Sequence, residues 1–184
     1  MPILFGLELV AQLTERLDRY RAIRSESGAS NHAIDREIGE MYVLRRICLA
    51  DTDAEALREV QEPLRWHREM GVRVHERGEA IVTLPTTADG SKIEVTEAEC
   101  FGNVATVTRR LEELRALGLR KVIGWFHFGN MPYESVRRSM QLMAINVIPK
   151  FHEREMFTDA TKCRLMMGRR RMAQTSSTSV TFER

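Results

Sequence analysis

Residues 121–132 read KVIGWFHFGNMP, and the fold turns on how they are read. Lys121 to Phe128 is an apolar run of strand length, and Gly129, Asn130 and Pro132 then supply turn-forming residues. Alternation along a strand puts Ile123, Trp125 and His127 on one face and Val122, Gly124, Phe126 and Phe128 on the other. The second set is apolar and suits a face covered by helices. The first brings an indole and an imidazole to the place where a buried strand reaches the surface, which is where an open pocket needs them.

Working outward, FGNVATVTRRLEELRALG (101–118) carries the cleanest helix signal. Asn103 is the N-cap, Val104, Val107, Leu111 and Leu114 form one stripe, and Gly118 is the stop. Downstream, Val136, Met140, Met143 and Val147 stripe a helix expected to end before Pro149. At the amino end, PILFG (2–6) reads as a short buried strand, and Val10, Leu13, Leu17 and Tyr20 as the inner face of a helix. SESGASN (25–31) reads as a loop. EMYVLRRICLA (40–50) is a strand in spite of Arg45 and Arg46, one of which must face inward or meet an acid. Thr52 and Glu55 form a capping box for the next helix, which Pro63 should kink or end. Residues 71–99 read as irregular, with AIVTL and KIEV flanking TTADGSK as a candidate hairpin.

The bulk numbers set the class. The chain has 184 residues, 43% apolar and 29% charged, with 28 basic and 26 acidic side chains for a net charge of +2. One domain of this size buries roughly 70% of its unfolded surface, so a core forms without staples. The mixed charge gives no pull toward nucleic acid or membrane, and no run approaches the ~20 apolar residues that span a bilayer. Cys48, Cys100 and Cys163 are odd in number and lack metal-ligand spacing, which points to a reducing compartment, with the cytoplasm as default. Residues 1–157 are read as one domain. The tail, 158–184, is rich in Arg, Ser and Thr and reads as disordered. Arg169–Arg171 could meet nucleic acid, but a solvated tail is the plainer reading.

Strands alternating with helices imply an α/β fold with parallel pairing and right-handed crossovers. An open doubly wound sheet and part of a (β/α)8 barrel both satisfy the order. Neither GxGxxG nor GxxxxGK[ST] is present. A complete barrel takes about 250 residues, and only three or four βα units can be counted here.

Residues 100–151, CFGNVATVTRRLEELRALGLRKVIGWFHFGNMPYESVRRSMQLMAINVIPKF, resemble the C-terminal end of the luciferase-like flavin-dependent monooxygenases. The matching elements are Gly102 before the helix, Leu117-Gly118 after it, WFHFG, and RSMQLMAINVIPKF. PILFG…LTERLDRYRAI and YVLRRICLADTDAEALREV look like the fifth and sixth units of the same barrel, so the likeness covers roughly residues 2–152. One departure is the lack of a proline after Gly102, although the cap survives in Asn103.

The resemblance implies a partial TIM (β/α)8 barrel, the C-terminal three to four βα units. It implies reduced FMN from a separate flavin reductase, with O2 and an organic substrate; the deazaflavin coenzyme F420 is the less favoured cofactor. The family's first barrel half, with most of its phosphate contacts, would lie before Met1. The alternative is a non-catalytic barrel piece or partner subunit that self-associates, as a homo-oligomer or as complement to an N-terminal half.

The same resemblance makes His127 the candidate catalytic residue, moving a proton near neutral pH. Trp125 and Asn130 are the candidate cofactor contacts. Beside this stand plainer readings: a solvent-touching histidine, a core tryptophan and a turn-forming asparagine. Gly102 and Asn103 could bind an anion through free amides, although a plain N-cap is the simpler account. His67, His75 and His152 show no metal-ligand spacing, His32 sits in a loop, and Cys48 reads as a small buried hydrophobe.

Overall fold

The computed structural model describes residues 3–75 and 95–151. Most of the candidate hairpin and all of the tail lie outside the described residues. The element order is β1 Leu4–Phe5, α1 Val10–Glu26, α2 Asn31–Gly39, β2 Tyr42–Leu49, α3 Asp53–His75, β3 Cys100–Gly102, α4 Val104–Ala116, β4 Lys121–Trp125 and α5 Tyr133–Leu142. A π-helical turn, Met143–Val147, and a last helical turn, 148–151, complete it.

β2 is the centre of the sheet, and β1, β3 and β4 all run parallel to it. β1 and β4 both pair with Tyr42 and Val43, so they flank β2 on opposite edges. β3 pairs further along, at Ile47–Leu49. The expected parallel α/β order therefore stands. The β4 ladder stops at Arg46, and the Leu49 amide donates instead to the buried Ser139 hydroxyl of α5 at 2.9 Å. A side chain here takes the place of a strand.

Two hydrophobic clusters form. One joins Phe5, Val43, Ile47 and Cys100 to Leu13 and Leu17 of α1, Ile34 and Ile38 of α2, and Val107, Leu111 and Leu114 of α4. The other joins Cys48 and Phe101 to Ala56, Val60 and Leu64 of α3, with Phe128, Met131 and Val136. Ile47 pairs with Cys100 and Cys48 with Phe101, so the clusters lie on opposite faces of the β2–β3 ladder. At the other end of the sheet, Leu4 is 58% exposed and Ile123 42%.

Several sequence expectations change. α2 follows the expected loop of residues 25–31 as an additional helix, capped by Ser30 through the Ala33 amide, with Ile34 and Ile38 at helical spacing. β3, Cys100–Gly102, is an additional strand at the start of the stretch expected to be helix. α3 runs through Pro63 to His75 because Val60, Pro63 and Leu64 are all buried, and that burial outweighs the ~3 kcal/mol proline penalty. The last helix also passes its proline. Pro149 has no N–H to offer, and the wide π turn lies directly before it. On that helix Met140 is 52% exposed, and Ser139 takes the inner position.

β4 ends at Trp125 rather than at residue 128, and the two-face assignment fails beyond that point. Phe128, expected among the helix-facing set, is buried in the same cluster that Trp125 packs against. The turn after β4 is fixed by contact with α3. Gly129 has φ +58°, and a Cβ there would lie 2.1 Å from the Pro63 carbonyl oxygen. Gly129→Ala should cost about 3 kcal/mol or more from strain and overpacking together, read as a lowered urea midpoint.

Candidate functional site

Arg46 and Glu99 form a buried ion pair at the C-terminal side of the sheet. The Arg46 side chain is 1% exposed and that of Glu99 6%. Arg46 Nε donates to Glu99 Oε2 at 3.0 Å, and Nη2 donates to Oε1. Nη1 has no partner among the described residues. The guanidinium carbon lies 5.7 Å from the centre of the Phe128 ring. Burial pushes the Glu99 carboxyl above its ordinary range, and the hydrogen-bonded Arg46 pulls it back in part.

Both arginines of β2 are therefore buried, where one was expected. Arg45 finds carbonyls instead of an acid. Its Nη1 donates to Gly6 O at 3.1 Å and Leu44 O at 2.9 Å, and its Nη2 donates to Glu8 O at 2.9 Å. Arg45 thus ties the segment after β1 to β2.

An aromatic group sits beside the ion pair. In register, Trp125 is the β4 partner of Arg46. Its ring meets His67 edge-on at 5.4 Å and Phe128 edge-on at 6.3 Å, and Phe128 stacks on Phe101 at 5.5 Å. Trp125 Nε1 donates to the His127 carbonyl at 2.6 Å, which folds the chain back at the strand end. Burial, and then the charge of Arg46, lower the His67 pKa and so favour the neutral imidazole.

Of the three predicted site residues, Trp125 lies in this cluster. His127 is exposed and contributes its carbonyl to the Trp125 contact. Asn130 is exposed in the turn. The imidazole packed against the indole belongs to His67, which sequence reasoning set aside. Its signal was present, since Val60, Leu64 and His67 fall at i, i+4 and i+7 on the buried stripe of α3. The Arg46–Glu99 pairing spans 53 positions and had no local signal.

The other groups are accounted for. Burial pushes the Cys48 and Cys100 thiols up to about 12, so neither is a ready nucleophile. No cluster of three or more His, Cys, Asp or Glu side chains suited to a metal occurs among the described residues. No described helix is long and apolar enough to cross a membrane. A cleft of about 560 Å³ lined by Ile3, Tyr20, Tyr42 and Lys121 opens at the N-terminal ends of the strands, away from Trp125.

The residues fit a flavin in one respect only. Trp125, His67 and Phe128 offer aromatic surface for a planar ring. For a phosphate they offer little, because Arg45 is spent on backbone carbonyls and Arg46 on Glu99. Asp53 already occupies the start of α4. Its Oδ1 accepts from the Asn103 amide at 2.7 Å and its Oδ2 from Thr106 Oγ1 at 3.0 Å.

The ion pair has an expected signature. Arg46→Met or Glu99→Leu alone should destabilise the protein by about 3–5 kcal/mol, because each strands a buried charge. The double variant should recover most of that loss in urea unfolding. With the cation gone, the His67 pKa should rise toward its ordinary value in an NMR titration of the double variant.

No protein-family model and no curated protein sequence matches the chain. A solved structure of similar fold is the monooxygenase RslO1 from Streptomyces bottropensis, at a TM-score of 0.52 and 16% identity. The match covers 82% of this chain and 42% of that one. The chain thus spans less than half the length of the enzyme whose fold it shares in part.

Proposed function

We propose that this chain is part of an oxidative enzyme of the flavin-dependent monooxygenase kind. In this reading its parallel strands form an arc of a (β/α)8 barrel, and their C-terminal ends supply one wall of the cofactor and substrate cavity. The observation that carries the reading is the Trp125–His67–Phe128 cluster over the Arg46–Glu99 pair, because active sites of such barrels lie at that end. The likeness to a monooxygenase fold and the sequence resemblance support it.

The chain's own residues have definable tasks. Trp125 presents a flat surface against which an isoalloxazine ring or aromatic substrate can lie. His67, whose burial favours the neutral imidazole, can accept a hydrogen bond from that ligand. Phe101 and Phe128 keep water from the ion pair beneath. His127, at the exposed rim, can exchange protons with solvent. Bound reduced flavin would supply electrons for attack by O2, with a separate reductase as its source and an organic molecule as the acceptor of oxygen.

Trp125 and Trp66 are the two tryptophans, so Trp66→Phe leaves Trp125 as the sole indole reporter. Riboflavin and FMN should both quench its fluorescence, weakly, and no stoichiometric yellow complex should survive gel filtration. Absence of quenching by either flavin would end this reading.

A second reading has its own observation. The outer edges of β1 and β4 carry no strand partner among the described residues, and Leu4 and Ile123 beside them are exposed. Unpaired edges flanked by apolar side chains favour association with another copy of the chain. Light scattering on purified protein should give a dimer or larger; a monomer at high concentration would refute this.

A further inference from the structure

We propose that the cleft at the N-terminal ends of the strands is a second binding site, one that takes a small planar aromatic carboxylate. The proposal is separate from the enzyme reading and uses none of the residues at the Trp125 end of the sheet.

The cleft has a volume of about 560 Å³, which falls in the range of small-molecule sites. It opens where α1 and α2 meet the starts of β1, β2 and β4. Its apolar surface is supplied by the phenol rings of Tyr20 and Tyr42, with Met41 and Ile3 beside them. Aromatic walls of this kind suit a flat ring, by offset stacking or by edge contact.

The polar groups around the rings hold one another in place. Tyr20 Oη donates to Glu37 Oε2 at 2.8 Å. Arg24 donates to both oxygens of the same carboxylate, Nε to Oε2 at 2.9 Å and Nη2 to Oε1 at 2.7 Å. Lys121 Nζ donates to Glu40 and lies 5.2 Å from the centre of the Tyr42 ring. Hydrogen bonds from Arg24 and then from Tyr20 hold the Glu37 carboxyl down at about 2, so it stays ionised and offers a ligand no proton.

This pairing leaves one charge over. Glu37 is matched by Arg24 and Glu40 by Lys121. Arg36 lines the cleft, is exposed, and makes no hydrogen bond or ion pair among the described residues. A complementary ligand must therefore bring an acceptor that carries negative charge. A guanidinium receives the two oxygens of a carboxylate side by side, which an amide or hydroxyl ligand cannot reproduce. A phosphate would bring a second charge against Glu37 and Glu40, with one spare cation to answer it. The walls and the spare cation together specify a flat ring bearing one carboxylate.

The test is an amide NMR titration of the full chain, followed at Met41, Tyr42 and Lys121, with benzoate, benzamide and acetate as probes. Benzoate should shift these signals saturably. Benzamide, which keeps the ring without the charge, and acetate, which keeps the charge without the ring, should each bind at least about threefold more weakly. Arg36→Gln removes an exposed side chain and should leave the fold intact. It should weaken benzoate about threefold to fivefold, the most that an exposed ion pair gives, and leave benzamide unchanged. Tyr42→Leu should weaken benzoate and benzamide alike, and Arg36→Gln carries the test alone if that variant does not fold. No saturable shift with benzoate, acetate binding as well as benzoate, or an unchanged benzoate affinity in Arg36→Gln would each overturn the proposal. Flavin quenching at Trp125 reads the other end of the sheet, so the two readings can fail separately.

Discussion

The geometry of the candidate site depends on a charge pair that the sheet cannot release. Arg46 points from the middle strand into a space closed by Phe128, and Glu99 is the only acid that meets it there among the described residues. In an apolar setting an unpaired ion is costly enough to exclude alternative packings, so the two residues fix where the segment entering β3 must lie. That placement sets Phe101, which sets Phe128, against which Trp125 rests. The order of dependence runs from charge to ring rather than the reverse.

Much of this architecture was legible in the residues and some was not. α4 was readable because cap, stripe and stop all agree, and Asn103, Val107 and Gly118 take the roles their chemistry suggests. The parallel pairing of 121–125 with β2 followed from the alternation of strand and helix. α2 was missed because Gly28 and Ser30 were read as breakers, when they separate two helices. Pro63 is expected to kink or end its helix and Pro149 to follow one, and helix continues past both.

The site was less legible than the fold. Alternation placed Trp125 and His127 on one face, but it could not foresee that β4 would end at Trp125, with the indole bonded to the His127 carbonyl. Once the strand ends, the rule of alternating faces has no hold on His127 or Phe128. The imidazole that packs on Trp125 comes from the neighbouring helix, where a histidine on a buried stripe reads as core until its neighbours are known. Asp53 posed the same difficulty. Locally it opens a helix; only the folded chain shows that it also seals another.

β4 is held along one side over five residues, and the turn that follows it leans on α3 through Gly129 and Pro63. The rim of the cluster is thus moored to a helix more firmly than to the strand from which it issues. On heating, the emission of Trp125 should therefore follow the melting of that helix, and an optical unfolding curve read from this indole would describe α3 before it described the sheet.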